Sequence, residues 1–165
     1  MSSESKAYIG LGGNLGDAAE TVRKARRAVR AVPGVRELAF SSLYRSAPMG
    51  PSDQPDYVNA VMAVVTTLAP LDLLRALQQI EQTSGRVRTG ERWGPRTLDL
   101  DLLLYDDLVL DSEILTIPHP GIAEREFVLY PLAEIAPDVY IPHHGPLREL
   151  VQNCPRRGLT VIAHD

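Results

Sequence analysis

Two aspartates and a run of arginines carry the chemistry of this sequence. Asp99 and Asp101 alternate with Leu98, Leu100, Leu102 and Leu104, and a period of two marks a strand with two unlike faces. On that pattern the four leucines point into a core. The two carboxylates point together to the other side, with alpha carbons roughly 6.5–7 Å apart. Two ionised carboxylates this close repel, and a divalent cation removes the conflict. Mg2+ takes a few carboxylate oxygens and completes its sphere with water and phosphate oxygens, so the pair suits a metal–nucleotide site. The alternative is a solvent-facing strand whose aspartates merely alternate. What precedes the strand favours the site: Arg86, Arg88, Arg92 and Arg96 lead in, with Gly90, Gly94 and the single tryptophan, Trp93. Guanidinium groups meet phosphates in a planar fork, the glycines allow movement, and Trp93 can cover a base or close a lid. The segment reads as a loop that shuts over polyphosphate. A single-stranded nucleic-acid contact also mixes arginine with aromatics, but the aspartate pair would repel a phosphate backbone unless metal is bound.

The elements that must position these groups follow from periodicity and punctuation. A short apolar strand is expected over residues 6–11, followed by Gly10-Leu11-Gly12-Gly13-Asn14-Leu15-Gly16. That run lacks the spacing of a dinucleotide loop and the Lys-Ser/Thr of a P-loop, so it reads as a tight turn using glycine freedom. Asp17 is placed to cap a helix reaching about Val32, with Val22, Ala25, Val29 and Val32 as its apolar stripe. The basic residues off that stripe, Arg23, Lys24, Arg26, Arg27 and Arg30, read as a solvated face rather than a nucleic-acid face. Strands are expected over residues 35–45 and 57–68, separated by a loop with three prolines and a glycine, irregular enough to be functional. Pro70 opens a second helix with Leu73, Leu74, Leu77 and Ile80 buried, and Ser84-Gly85 closes it. After the aspartate strand, here taken as central in the sheet, come a turn at Asp106-Asp107 and a short hairpin over residues 108–117. A helical or turn segment to Ala136 that holds Arg125 and Phe127, a strand at residues 139–141, a helix at 147–152 and a final apolar segment at 159–163 complete the chain. His143-His144 reads as an exposed polar loop, though such a pair can bind metal adventitiously.

The order of these elements is β-α-β-β-α-β plus C-terminal additions. That predicts an α+β fold of ferredoxin-like βαββαβ type, an antiparallel sheet with helices packed on one face. Length predicts a single domain over residues 1–165. Net charge is −4, which offers no global basic field to nucleic acid or anionic membrane. One cysteine, Cys154, excludes an internal disulfide and a cysteine-based zinc site. The N-terminus shows no signal pattern, and no apolar run is long enough to span a bilayer. A cytoplasmic monomer without nucleic-acid or membrane partners is expected.

The run Arg92 to Asp101 closely resembles the signature of the 6-hydroxymethyl-7,8-dihydropterin pyrophosphokinases of folate biosynthesis. So do the opening glycine turn and the block Gly50 to Ala60, and the resemblance covers nearly the whole chain. It implies transfer of pyrophosphate from ATP, the co-substrate, to the hydroxymethyl oxygen of the pterin, with AMP as the other product. It also implies two Mg2+ ions on Asp99 and Asp101, and a catalytic role for Arg86 and Arg96 at the transferring group. Gln78, Glu81, Arg88, Arg92, Trp93, Arg96, Thr116, His119 and Arg125 are implied as ATP contacts. Ser46, Pro48, Met49, Tyr57, Asn59 and Phe127 are implied as pterin contacts. An Asn inside an apolar strand is costly unless satisfied, and its amide suits the amide-like edge of a pterin; the alternative is a bond to neighbouring backbone. Ile114 and Pro120 stand where some relatives carry arginine and tyrosine near the nucleotide. No His or Glu stands out as a general base; formation of the alkoxide on the bound metal, helped by Asp99, is expected to be enough. Two other readings remain open: a metal-dependent phosphodiesterase or nuclease, and a nucleotide-binding regulatory module.

Overall fold

The computed structural model describes residues 3–13, 17–46, 57–84 and 98–164. In chain order its elements are β1 (Ser5–Gly13), α1 (Ala18–Arg30), β2 (Val35–Phe40), β3 (Leu43–Ser46), β4 (Tyr57–Thr66), α2 (Pro70–Thr83), β5 (Asp99–Tyr105), β6 (Leu110–Asp111), β7 (Thr116–Ile117), α3 (Glu126–Ile135), β8 (Tyr140–Ile141), β9 (Gly145–Pro146), α4 (Leu147–Gln152) and β10 (Thr160–Ala163). Of the expected site residues, Pro48, Met49, Arg86, Arg88, Arg92, Trp93 and Arg96 lie outside the described residues.

Local chemistry sets the helices. The Asp17 side chain accepts the Glu20 N–H at 3.2 Å, satisfying one of the amides that a helix start leaves without a partner. Val22, Ala25 and Val29 are buried along one face of α1. Pro70, which lacks an N–H, stands in the first turn of α2, where none is needed, and Leu73, Leu77 and Ile80 are buried below it. The basic face of α1 is partly engaged within the chain. Arg26 grips the Glu37 carboxylate with two nitrogens, at 2.7 and 3.0 Å, and lies 4.2 Å above the Phe40 ring.

The main sheet has the order β10-β3-β4-β1-β5, with β2 also on β4, and every ladder in it is antiparallel. The strand expected over residues 35–45 is two strands. At the break the Ser41 N–H donates to the Val61 carbonyl, and the Ser41 hydroxyl accepts the Val61 N–H, both at 2.9 Å. A side chain replaces main chain in the ladder, and pairing to β4 resumes with β3 at Tyr44. The final apolar segment also joins the sheet, Thr160 opposite Arg45 and Val161 opposite Tyr44.

Helices cover both faces of this sheet. The stripes of α1 and α2 pack on Ala7, Ile9, Leu11, Met62, Leu100 and Leu102. The other face, carrying Tyr8, Val61 and Ala63, packs on Val128, Leu129 and Leu132 of α3 and Leu147 of α4. The expected packing on one face holds for α1 and α2 only; α3 and α4, in the C-terminal additions, cover the opposite face, so the sheet is enclosed on both sides.

Two expectations about the aspartate strand are corrected. β5 lies at an edge of the described sheet, not at its centre. Leu98, Leu100 and Leu102 do share the α1/α2 face, but Leu104 does not. Tyr8 pairs with Leu104 and Ile9 with Leu102, so Leu103 is an extra residue in β5. A bulge of one residue inverts the alternation beyond it. Leu104 therefore joins the α3 side, and Tyr105 returns to the first.

Candidate active site

The register of the sheet lines up one row of residues across four strands. Tyr44 of β3 pairs with Asn59 of β4, Asn59 with Gly12 of β1, and Gly12 with Asp99 of β5. Directly opposed residues share a face, so all four look toward the α3 side. The adjacent row is Val61, Gly10 and Asp101. Gly10 and Gly12 form the floor of a trough. Asn59 and Asp99 stand on its two banks, about 10 Å apart at two strand spacings. These glycines are strand residues, where a turn was expected: β1 runs through Gly13. Gly12 is required by contact, since a Cβ there would lie 2.9 Å from Asn59 Oδ1. Sequence reasoning missed this role. The available signal was two glycines spaced by two at the end of a strand.

On one bank, Asn59 is buried, 7% exposed, and its Nδ2 donates to Ser46 Oγ at 3.0 Å. That bond leaves Oδ1 over Gly12, facing the trough. Ser46 pairs with Tyr57, which places Tyr57 on the same face. Ser46, Tyr57 and Asn59, all expected together, are brought together.

On the other bank, Asp99 and Asp101 share the trough face of β5. The outer edge of β5 is held by side chain and loop. Glu81 Oε2 accepts the Leu100 N–H at 2.7 Å, and the His119 N–H donates to the Leu103 carbonyl at 3.0 Å. Glu81 thus grips the backbone between the two aspartates. Gln78, one turn earlier on α2, is exposed.

His119 has a defined role for each nitrogen. Its Nδ1 accepts the Gly121 N–H at 3.1 Å, which leaves the proton on Nε2 in the neutral ring. Nε2 lies 3.8 Å from Asp101 Oδ1. Burial holds the His119 pKa below its ordinary value; Asp101 opposes this and Arg125 adds to it. In the neutral ring the Nε2–H is thus the donor on the side of Asp101. Arg125, the residue before α3, packs its guanidinium on Gly121 and lies 5.9 Å from the Phe127 ring centre. Phe127 is partly buried against the core of the α3 side.

A cleft of about 210 Å³ opens beside Asp101. Asp101, Ser112, Glu113, Thr116 and His119 line it together with the apolar Leu74, Leu115 and Ile114, the last 67% exposed. A cleft with both apolar and polar lining is the kind of surface that takes a small ligand.

The donor set suits Mg2+. Among the described residues no group of three or more His, Cys, Asp and Glu side chains forms a metal cage. Two carboxylates on one face of a strand suit Mg2+, because it keeps water and phosphate as its other ligands. The residues fit this ion rather than zinc.

Known proteins resemble this chain throughout. A family model described as 7,8-dihydro-6-hydroxymethylpterin-pyrophosphokinase matches residues 8–137. A 2-amino-4-hydroxy-6-hydroxymethyldihydropteridine pyrophosphokinase of Pseudomonas aeruginosa is 50% identical over 93% of this chain and 94% of that protein. The enzyme of the same name from Haemophilus influenzae is 49% identical over 88% and 91%. In structure, a Plasmodium falciparum HPPK-DHPS triple mutant superposes with a TM-score of 0.73 at 16% identity, covering 92% of this chain and 44% of that one. No helix among the described residues is long and apolar enough to cross a membrane. By family model and by close relatives, the chain belongs to the 7,8-dihydro-6-hydroxymethylpterin-pyrophosphokinase family.

Proposed function

We propose that the trough between Asn59 and Asp99 is where this chain transfers the pyrophosphoryl group of ATP to 6-hydroxymethyl-7,8-dihydropterin, a step of folate biosynthesis. The observation that carries the reading is the row Tyr44–Asn59–Gly12–Asp99. It sets an amide bank and a carboxylate bank on opposite sides of a glycine floor, as two substrates meeting in line require. The strand order of β1, β3, β4 and β5, with α1 and α2 on one face, supports the ferredoxin-like assignment.

The acceptor binds on the amide bank. Asn59 reads the pterin edge with Ser46 behind it, Tyr57 flanks it, Phe127 stacks on the ring, and Pro48 and Met49 complete the pocket. ATP enters the cleft beside β5. Its base lies toward Leu74, Ile114 and Gln78, and its phosphates run toward Thr116, His119 and Arg125. Glu81 contributes by holding Leu100. Asp99 and Asp101 hold Mg2+, two ions by family resemblance; when bound, the metal neutralises phosphate charge and makes the β-phosphorus a better electrophile.

The pterin hydroxymethyl oxygen attacks the β-phosphorus. The bond from that phosphorus to the oxygen bridging to the α-phosphorus breaks, and AMP leaves. The Asp99 carboxylate accepts the hydroxyl proton. His119 Nε2–H donates to a phosphate oxygen. Arg125, with Arg86, Arg88, Arg92 and Arg96 from the loop, offsets charge on the transferring group, and Trp93 covers the nucleotide.

A product assay with Mg-ATP, with and without the pterin, tests this. AMP forming only when the pterin is present is the expected result. ADP would overturn the choice of phosphorus, and AMP without acceptor would indicate a hydrolase.

A further inference from the structure

The carboxylate of Glu134, in the last turn of α3, is bound to the start of β3 and the residue before it. It accepts the Ser42 N–H on both oxygens at 3.0 Å, the Ser42 hydroxyl at 2.8 Å and the Tyr44 hydroxyl at 2.7 Å. Ser42 and Tyr44 are buried, at 2% and 6% exposure, while Glu134 comes in from the surface. The Ser42 proton is committed to the carboxylate, so the 2.6 Å contact to His164 Nδ1 has the imidazole donating, which ties the end of β10 to the same point. None of these residues is among those expected from the sequence, and only Tyr44 belongs to the row that lines the trough.

Both ends of the cluster lead to the acceptor bank. Along β3, Ser46 stands two residues beyond Tyr44 on the same face and holds the Asn59 amide. Along α3, Phe127 precedes Glu134 by seven residues, two turns and about 10.5 Å, so the two lie on one side of the helix. The nucleotide cleft is built from β5, α2 and the β6–β7 hairpin, none of which Glu134 contacts through these bonds.

We propose that Glu134 is a positioning residue for the acceptor substrate: by clamping the end of α3 to Ser42 and Tyr44 it sets the Phe127 ring opposite the Ser46–Asn59 pair. The inference rests on the assignment of Asn59, Ser46 and Phe127 to the pterin. Glu134 touches no substrate. Its effect is transmitted through two rigid elements to a stacking surface, where a small displacement lowers affinity steeply.

The test is steady-state kinetics with each substrate varied separately, on full-length Glu134→Gln, Tyr44→Phe and Asn59→Ala. In E134Q the amide would face three donors with only one acceptor oxygen; Y44F removes a single bond and leaves α3 intact. The expected result is a rise of about tenfold in the pterin KM for E134Q and about threefold for Y44F. The ATP KM stays within about twofold of wild type in both. A variant with a lowered melting temperature but an unchanged pterin KM, or with both KM values raised equally, overturns the clamp. N59A separates the two layers. If it leaves the pterin KM unchanged, the acceptor assignment itself fails; if it raises that KM while E134Q and Y44F do not, only the clamp fails.

Discussion

Glu81 Oε2 accepts the Leu100 N–H at 2.7 Å, and Leu100 is the residue between Asp99 and Asp101. An edge strand has no neighbour to fix its outer amides. Here a helix side chain replaces that neighbour at the point where two like charges meet. Glu81→Ala is expected to lower stability by about 1–2 kcal/mol and kcat by about tenfold or more, since both carboxylates lose a fixed backbone. Glu81→Gln, which can still accept one bond, is expected to fall between. Denaturant melts and turnover under saturating substrates measure the two effects; unchanged kcat in the alanine variant would show that β5 holds the aspartates unaided.

Gly12→Ala tests the floor of the trough. The new methyl would stand 2.9 Å from Asn59 Oδ1, closer than a Cβ tolerates, so the amide must turn away from Ser46 or the strand must shift. The expected outcome is a pterin KM raised by about tenfold or more with the ATP KM little changed. Gly10→Ala is the comparison. Its Cβ would meet Leu103 at an ordinary 3.5 Å, so it is expected to behave nearly as wild type on the pterin side. Equal effects from the two alanines would remove the case for a special role of Gly12.

Much of this arrangement was legible in the sequence because it depends on local pattern. The alternation from Leu98 to Leu102 placed Asp99 and Asp101 on one face, and Asp17, Pro70 and Ser84 marked helix ends that the structure keeps. What was not legible depends on registry between distant segments. The extra residue at Leu103 is visible only against Tyr8 and Ile9 of another strand, and it reverses Leu104. The split at Ser41 depends on Val61. The glycine floor appears only once Gly12 is known to lie between Asn59 and Asp99. The Glu134 cluster spans about ninety positions of sequence, and nothing near Glu134 marks it as different from any other helix carboxylate.

The pH dependence of stability has a defined contributor in Glu37. Its hydrogen bonds to Arg26 hold its pKa below the ordinary carboxylate value, outweighing the opposing effect of burial, with the charges of Arg26 and Arg30 acting in the same direction as the bonds. A group whose folded pKa lies below its unfolded pKa stabilises the fold above the unfolded value, and that stabilisation disappears as pH falls through the folded value. Glu37→Gln is therefore expected to lower the melting temperature at pH 7 and to weaken the decline of stability on the acid side. Melting curves from pH 7 to pH 3 check this; parallel curves for the two proteins would show that Glu37 titrates alike in both states.

Metal removal separates Asp99 and Asp101 from the rest of the nucleotide cleft. On the proposed reading the rest of the cleft lining, Leu74, Ile114, Leu115, Thr116 and His119, needs no metal to meet a nucleoside. On the same reading the two carboxylates face phosphate, and without a cation they would repel it. ATP binding measured with Mg2+ and again with EDTA should differ markedly in the wild type. In Asp101→Asn one negative charge is gone, so two effects are expected. Metal-free ATP binding should improve or hold, because repulsion falls. The gain on adding Mg2+ should shrink, because a ligand is lost. Turnover should fall by about a thousandfold or more, as expected when charge at the transferring phosphoryl group is left uncompensated. His119 supplies an internal control. Its Nε2 lies 3.8 Å from Asp101, and its orientation is set by Gly121 and Leu103, so His119→Gln should reduce ATP affinity equally with and without metal. An Asp101→Asn protein that keeps the full Mg2+ increment would place the metal on other groups and leave the pair without the role proposed for it.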